Sequence, residues 1–290
     1  MQELIATIIP VFTIILVGYA IGKIKKVDMQ PFIDLIVYIA APCLIFSSIV
    51  GSDINLTEFS TIAVAALAII LIMALLALLI LKLTKLDKNG LSLPMAFGNT
   101  SYLGYPVALF AFGMDGLSRA VVYDMMNSLI IFSLGIYIIH HRNELQEAFK
   151  VPLLYSVVIG LVVNLLQIPV PSAIFNPIEM IGLITIPLAL LVLGYKLTEI
   201  KVEAAKIACL ASVFKILGGF SVALVIINLF SIDGLTKDII LLQAAMPSAV
   251  MTMILASKYE RDTSLVASVV LITTVISMVT IPVILYFLFL

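Results

Sequence analysis

Charge is scarce in this sequence. Asp, Glu, Lys and Arg make up 11% of its 290 residues, against about 25% in soluble domains. So few charges cannot clothe a water-exposed surface, which excludes a soluble enzyme or a nucleic-acid-binding domain. A net charge of −1 gives no reason to expect a polyanionic partner. Cysteine is also nearly missing: Cys43 and Cys209 both lie in apolar runs, so no disulfide framework is expected. The two histidines, His140 and His141, abut a basic loop. Neighbours on a helix point about 100° apart, a poor arrangement for one metal. No HExxH, no paired catalytic His and Ser and no carboxylate dyad occur, so no catalytic residue, metal or cofactor is expected. What is abundant is apolar: 63% of the chain, the composition of a polytopic membrane protein.

A bilayer crossing takes about 20 mostly apolar residues. Cuts at the charged and Gly/Pro/Asn-rich breaks leave ten candidate spans, near 4–22, 31–50, 59–81, 91–112, 117–139, 151–168, 175–195, 203–229, 236–257 and 263–290. The chain opens Met1-Gln2-Glu3 without a basic leader, so the first run is expected to be a retained span. Thirteen basic residues then fall in alternate connections: Lys23, Lys25, Lys26, Lys82, Lys85, Lys88, Arg142, Lys150, Lys196, Lys201, Lys206, Lys258 and Arg261. Only Arg119 and Lys237 fall in the others. That bias predicts cytoplasmic basic loops and both termini outside the cell membrane.

The halves resemble each other. Pro10 and Gly18 match Pro152 and Gly160, Asp34 and Pro42 match Glu179 and Pro187, and Asp115 matches Asp262, with offsets drifting only from 142 to 147. Five spans per half make the two halves, 1–145 and 146–290, cross in opposite senses. An inverted repeat of this kind is a hallmark of secondary transporters, whose sites lie near the midplane on discontinuous helices.

The fourth and ninth spans are the least helix-like. Gly98, Asn99, Thr100, Ser101, Gly104 and Pro106 crowd the centre of one, and Gln243, Pro247, Ser248 and Thr252 lie at equivalent depth in the other. Proline and glycine break helices, and in lipid the freed backbone groups persist only against protein or a wet cavity. Two broken helices crossing there would offer half-helix N-termini to an anion and loose carbonyls to a cation; paired Pro kinks filled by Ser/Thr packing are the plainer alternative. Lys215 lies nine residues beyond Lys206, inside the eighth span, where insertion costs roughly 2.5–3.5 kcal/mol. It needs a carboxylate, backbone carbonyls or a wet cavity, with Asp124 and Glu179 as the available acids. A charge or coupling role and a fixed ion pair both remain open for it, and local hydrogen bonding is the expectation for Asp124. Gly18 and Gly22 form a GxxxG, a mark of close helix packing or of a dimer face. The stretch Gly18–Lys23 is one residue short of a phosphate loop and implies no nucleotide site.

Asn99-Thr100-Ser101-Tyr102-Leu103-Gly104-Tyr105-Pro106 resembles the N-T-x-x-x-G-x-P crossover of the auxin efflux carrier family, which includes the plant PIN-FORMED carriers. Gln243-Ala244-Ala245-Met246-Pro247 is similar to the second crossover, with Ser257-Lys258-Tyr259 at its end, and Tyr38-x-Ala40-x-Pro42-x-Leu44 to the second-helix signature. The resemblance covers the whole chain. It implies an all-α membrane protein of ten transmembrane helices in two inverted five-helix repeats, with crossover helices 4 and 9. It further implies a scaffold of helices 1, 2, 6 and 7, a moving unit of helices 3–5 and 8–10, and export of carboxylates such as auxin or malate- and malonate-like acids. The long cytoplasmic loop of many plant carriers is absent, and Ser248 stands where those often have Gln, so auxin itself is not expected.

The expected substrate ligands are Asn99, Thr100, Ser101, Gly104, Pro106, Gln243, Pro247 and Ser248, with Lys215 and Asp124 as the candidates for any charge or coupling role. Expected partners are a small organic anion, the bilayer and a second copy of the chain docked through the scaffold helices. A sodium- or proton-coupled symporter, a channel and an intramembrane enzyme are the competing readings. A channel would need a continuous polar stripe, whereas polarity here concentrates at the two breaks.

Overall fold

The computed structural model describes residues 2–86, 90–140 and 152–289. Lys88, His141, Arg142 and Lys150, and the boundary between the two halves, lie outside the described residues. Among the described residues the chain is helical, without a β-strand. Seven helices are long and apolar enough to cross a bilayer. We number the helices α1 (Gln2–Ile24), α2 (Gln30–Val50), α3 (Leu56–Thr84), α4 (Ser92–Ala96), α5 (Gly104–His140), α6 (Pro152–Leu165), α7 (Ser172–Leu197), α8 (Ala205–Leu229), α9 (Gly234–Ala244), α10 (Val250–Lys258) and α11 (Thr263–Leu288). This is a multi-pass, all-helical membrane protein.

Local chemistry sets the ends. Asn55 caps α3, its side chain accepting from the Glu58 amide at 2.9 Å, and Asp262 caps α11 by accepting from Leu265 N at 3.2 Å. Between its caps α3 runs 29 residues of mostly Leu, Ile and Ala, about 43 Å long and ample for a hydrocarbon core of about 30 Å. Gly113 interrupts α5 with φ +67° and ψ −160°. A Cβ there would meet nothing within 4 Å, so its backbone conformation, not crowding, calls for glycine. The spans read near 91–112 and 117–139 therefore fall on either side of one sharp bend.

The remaining short pieces come from two helix breaks. Residues 97–103 part α4 from α5, and residues 245–249 part α9 from α10. None of α4, α9 or α10 is long enough to cross a bilayer alone.

Close contacts hold the helices together. α1 packs along the second half of α7, and the second half of α2 packs on α6 and the first half of α7. At the α1–α7 crossing a Cβ on Gly18 would come to 2.2 Å from the Leu191 carbonyl oxygen, and one on Gly194 to 2.0 Å from that of Ile15. Gly22 lies against Thr198 and Tyr195. The GxxxG is thus consumed in packing within the chain. One apolar core draws its buried residues from α3, α4, α5, α8, α9 and α10 and the adjoining loops, with none from α1, α2, α6 or α7. A second core joins those four helices to α5, α9, α10 and α11.

Candidate functional site

The two helix breaks meet. Gly98 and Ser248 form an isolated antiparallel bridge, in which Asn99 N donates to the Pro247 carbonyl at 2.6 Å and Ala249 N to that of Phe97 at 3.0 Å. The backbone groups released by one break thus satisfy those released by the other, as a water-poor setting demands. Pro247 fits because its carbonyl is used while its missing N–H is not called for. Pro106 fits because it lies in the first turn of α5, where an amide would have no helical partner. Ser248 completes the seam: its hydroxyl donates to the Pro94 carbonyl at 2.6 Å and its amide to Thr273 Oγ1 at 3.2 Å.

Beside this seam lies a cavity of about 190 Å³. The break supplies Gly98, Asn99, Ser101 and Tyr102, and α5 supplies Asp124, Asn127, Ser128, Ile131 and Phe132. Val37 of α2 and Leu153 of α6 close one side, and Ala249, Val250, Met251 and Ile254 another. The lining is apolar except around the break. Two one-turn π-helical segments supply lining residues: Ile36–Ala40 carries Val37, and Ile131–Gly135 carries Ile131 and Phe132, while a third, Phe214–Gly218, carries Lys215 behind Gly98. Single π turns insert one residue and re-aim the side chains around it, and they are frequent at functional sites.

Polar contacts brace the break from α5. Thr100 and Tyr105 donate their hydroxyls to the two carboxylate oxygens of Asp124, the latter at 2.7 Å. Asn127 Nδ2 donates to the Gly98 carbonyl at 3.1 Å and to Thr100 Oγ1 at 3.0 Å. Asn99 Nδ2 and Asn127 Oδ1 are buried without a protein partner, and both residues line the cavity. Buried polar atoms left unpaired are rare enough to call for a cause.

Of the residues singled out in the sequence, Asn99, Ser101 and Asp124 come together on the cavity wall, while Thr100 bonds behind it. Gly104, Pro106, Gln243, Pro247 and Ser248 do not line the cavity. Gln243 is fully buried and packs on Gly104, where a Cβ would come to 2.3 Å from its Oε1, and neither of its amide atoms has a hydrogen-bond partner. Lys215 is buried beyond Gly98, and its Nζ donates to the Ala244 carbonyl at 3.1 Å. Neither Asp124 nor Glu179 pairs with it; of the three possibilities raised by the sequence, backbone carbonyl is the one realised. Asp34 is exposed and accepts from Gln30 Nε2. Asn127 and Ser128 were not singled out in the sequence, although Asn127 sits three residues after Asp124, on the same helix face.

Glu58 ties α3, α5 and α9 together at the opposite end of the bundle, accepting from Arg119 Nε at 2.7 Å and from the Thr236 hydroxyl at 2.5 Å. Among the described residues no cluster of His, Cys, Asp and Glu has the geometry to hold a metal.

Comparison with known proteins agrees with a membrane transporter. The chain is 30% identical to an uncharacterized transporter of Methanocaldococcus jannaschii, over 93% of this chain and 94% of that one. It is 27% identical to an uncharacterized transporter of Methanothermobacter thermautotrophicus, over 95% of each. The family model described as membrane transport protein matches residues 3–150 and 143–285. The chain belongs to this membrane transport protein family, the auxin efflux carrier family that its motifs resemble.

Proposed function

We propose that this protein is a secondary transporter that exports a small organic anion by elevator-type alternating access. The observation that carries this reading is the cavity at the meeting of the two helix breaks, with Asn99 Nδ2 unpaired in its wall. An amide donor waiting for an acceptor suits a carboxylate oxygen, and Ser101 and Ser128 add hydroxyls. Both oxygens of Asp124 already accept hydroxyl hydrogen bonds, so this carboxylate is engaged in bracing the break. The apolar remainder suits a short hydrocarbon body.

The same reading has ten crossings in two inverted five-helix repeats, with α4 and the first part of α5, and α9 with α10, as the crossover helices. Packing supports the repeat: Gly18 of α1 abuts Leu191 of α7, while Gly160 of α6 abuts Ile49 of α2. A two-fold exchange of the first and sixth spans, and of the second and seventh, carries one contact onto the other. The apolar core that excludes α1, α2, α6 and α7 supports a moving unit distinct from a scaffold. A second copy of the chain docks through that scaffold.

The cavity lies toward the basic loops, since Leu153 follows Lys150 by three residues and Ile254 precedes Lys258 by four. In a plasma membrane with both termini outside, that face is cytoplasmic, the loading side for export. Flux into proteoliposomes tests the proposal. Saturation and counterflow of a carboxylate are expected, whereas an ohmic current would identify a channel.

A further inference from the structure

Lys215 is 2% exposed, inside a membrane helix, and among the described residues no carboxylate lies within ion-pair distance of it. Its one hydrogen-bond acceptor is the carbonyl of Ala244, the last residue of α9 before the break. That carbonyl has lost its helical partner because the helix stops there. The surroundings are built to admit a cation. A Cβ on Gly219 would fall 2.2 Å from the Ala244 oxygen, so only glycine lets α8 come this close. Gly98, on the other break, borders the same gap: a Cβ there would be in ordinary contact with Nζ at 3.5 Å and with the Gln243 carbonyl oxygen at 3.6 Å. Lys215 sits on the π turn Phe214–Gly218, a feature frequent at functional sites.

We propose that the Lys215 ammonium is a tethered cation, seated at the Ala244 carbonyl that the broken helix leaves free, a position of the kind where broken helices otherwise hold a sodium ion. An ammonium and a sodium ion bear the same charge and accept the same carbonyl ligands. With the charge supplied by the chain, the crossing is held together and made electropositive behind Gly98 without any ion being taken up. On the transport reading above, the carrier then runs without sodium. The seat itself is tested independently of any substrate.

The test is the thermal stability of the purified full chain in sodium chloride against choline chloride. The unmodified protein should melt at the same temperature in both. Lys215→Ala, which empties the seat, should melt several degrees lower in choline and recover in sodium chloride or on adding propylammonium. Lys215→Met fills the same space without charge, so it should melt low in every salt. Overturning results are a Lys215→Ala protein that no cation restores, or an unmodified protein that sodium stabilises. If the alanine variant does not fold in any salt, the methionine variant decides. Melting like the unmodified protein would mean no charge is needed at the crossing, and a fall of several degrees in both salts would uphold the assignment. Absence of carboxylate flux alongside the expected melting pattern would count against the transport reading and not against the seat.

Discussion

Asn99, in the unwound stretch, and Asn127, which braces that stretch from α5, are the two cavity-lining residues with a buried, unpaired polar atom. Replacing Asn99 by Ala should weaken substrate binding by about 1–3 kcal/mol, because a buried acceptor on the ligand would lose its partner. Titration calorimetry or the concentration dependence of counterflow measures this, and unchanged affinity would remove Asn99 from the site. Asp124 acts differently. Asp124→Ala would leave the buried Tyr105 hydroxyl without its acceptor, while Thr100 keeps Asn127 Nδ2 and the Gly98 carbonyl, at a cost of about 1–3 kcal/mol for the group left unpaired. The expected outcome is a lower melting temperature with or without substrate, while a melt like that of the unmodified protein would show that the brace is dispensable. At this scale the sequence was only partly legible. A polar residue amid apolar ones is visible, which is how Asn99, Ser101 and Asp124 stood out. Which way it points is not: Gln243 had the same appearance yet packs on Gly104, and Asn127 passed as an ordinary helix residue.

At the scale of elements, glycine is used in two ways that make opposite demands. Gly194 is needed for closeness and Gly113 for its backbone angle. Gly194→Ala forces a methyl group toward the Ile15 carbonyl, and overpacking of this kind costs typically 1–3 kcal/mol, about the upper end where backbone must move. Gly113→Ala meets no atom but bears the strain of a backbone region that is essentially glycine's alone, on the order of 1–3 kcal/mol. Thermal melts should show both variants less stable than the unmodified protein; an unchanged melt for Gly194→Ala would contradict the close α1–α7 crossing. The helix interruptions themselves could be read in advance, since proline and glycine break helices by local chemistry. The three π turns could not, because no residue type marks them.

For the molecule as a whole, the central question is what drives the substrate. An inside-negative potential already pushes an anion outward by about 2.3 kcal/mol per charge per 100 mV, so export needs no coupled ion. On the proposed reading, efflux through purified protein should persist when choline replaces sodium and should rise with an imposed inside-negative potential; flux that stops without sodium would instead mark a sodium-coupled transporter. Substrate identity is open to a melting screen across mono- and dicarboxylates, since a ligand at 100 times its dissociation constant stabilises by about 2.7 kcal/mol. A largely apolar cavity with its polar groups gathered at one end should favour acids with one carboxylate, and a larger shift with dicarboxylates would show that this polarity has been misjudged.

By itself the sequence determined the membrane class, the loop charge bias and the positions of the two broken helices. Each follows from composition or from local backbone chemistry that holds whatever the chain packs against. Only the tertiary structure decided that Lys215 bonds a carbonyl and not an acid, that Gly18 and Gly22 are spent against α7, and that Asn127 faces the cavity while Gln243 does not. Those outcomes depend on where helices cross and on how far single π turns rotate the side chains around them, and a linear pattern of residue types holds neither quantity.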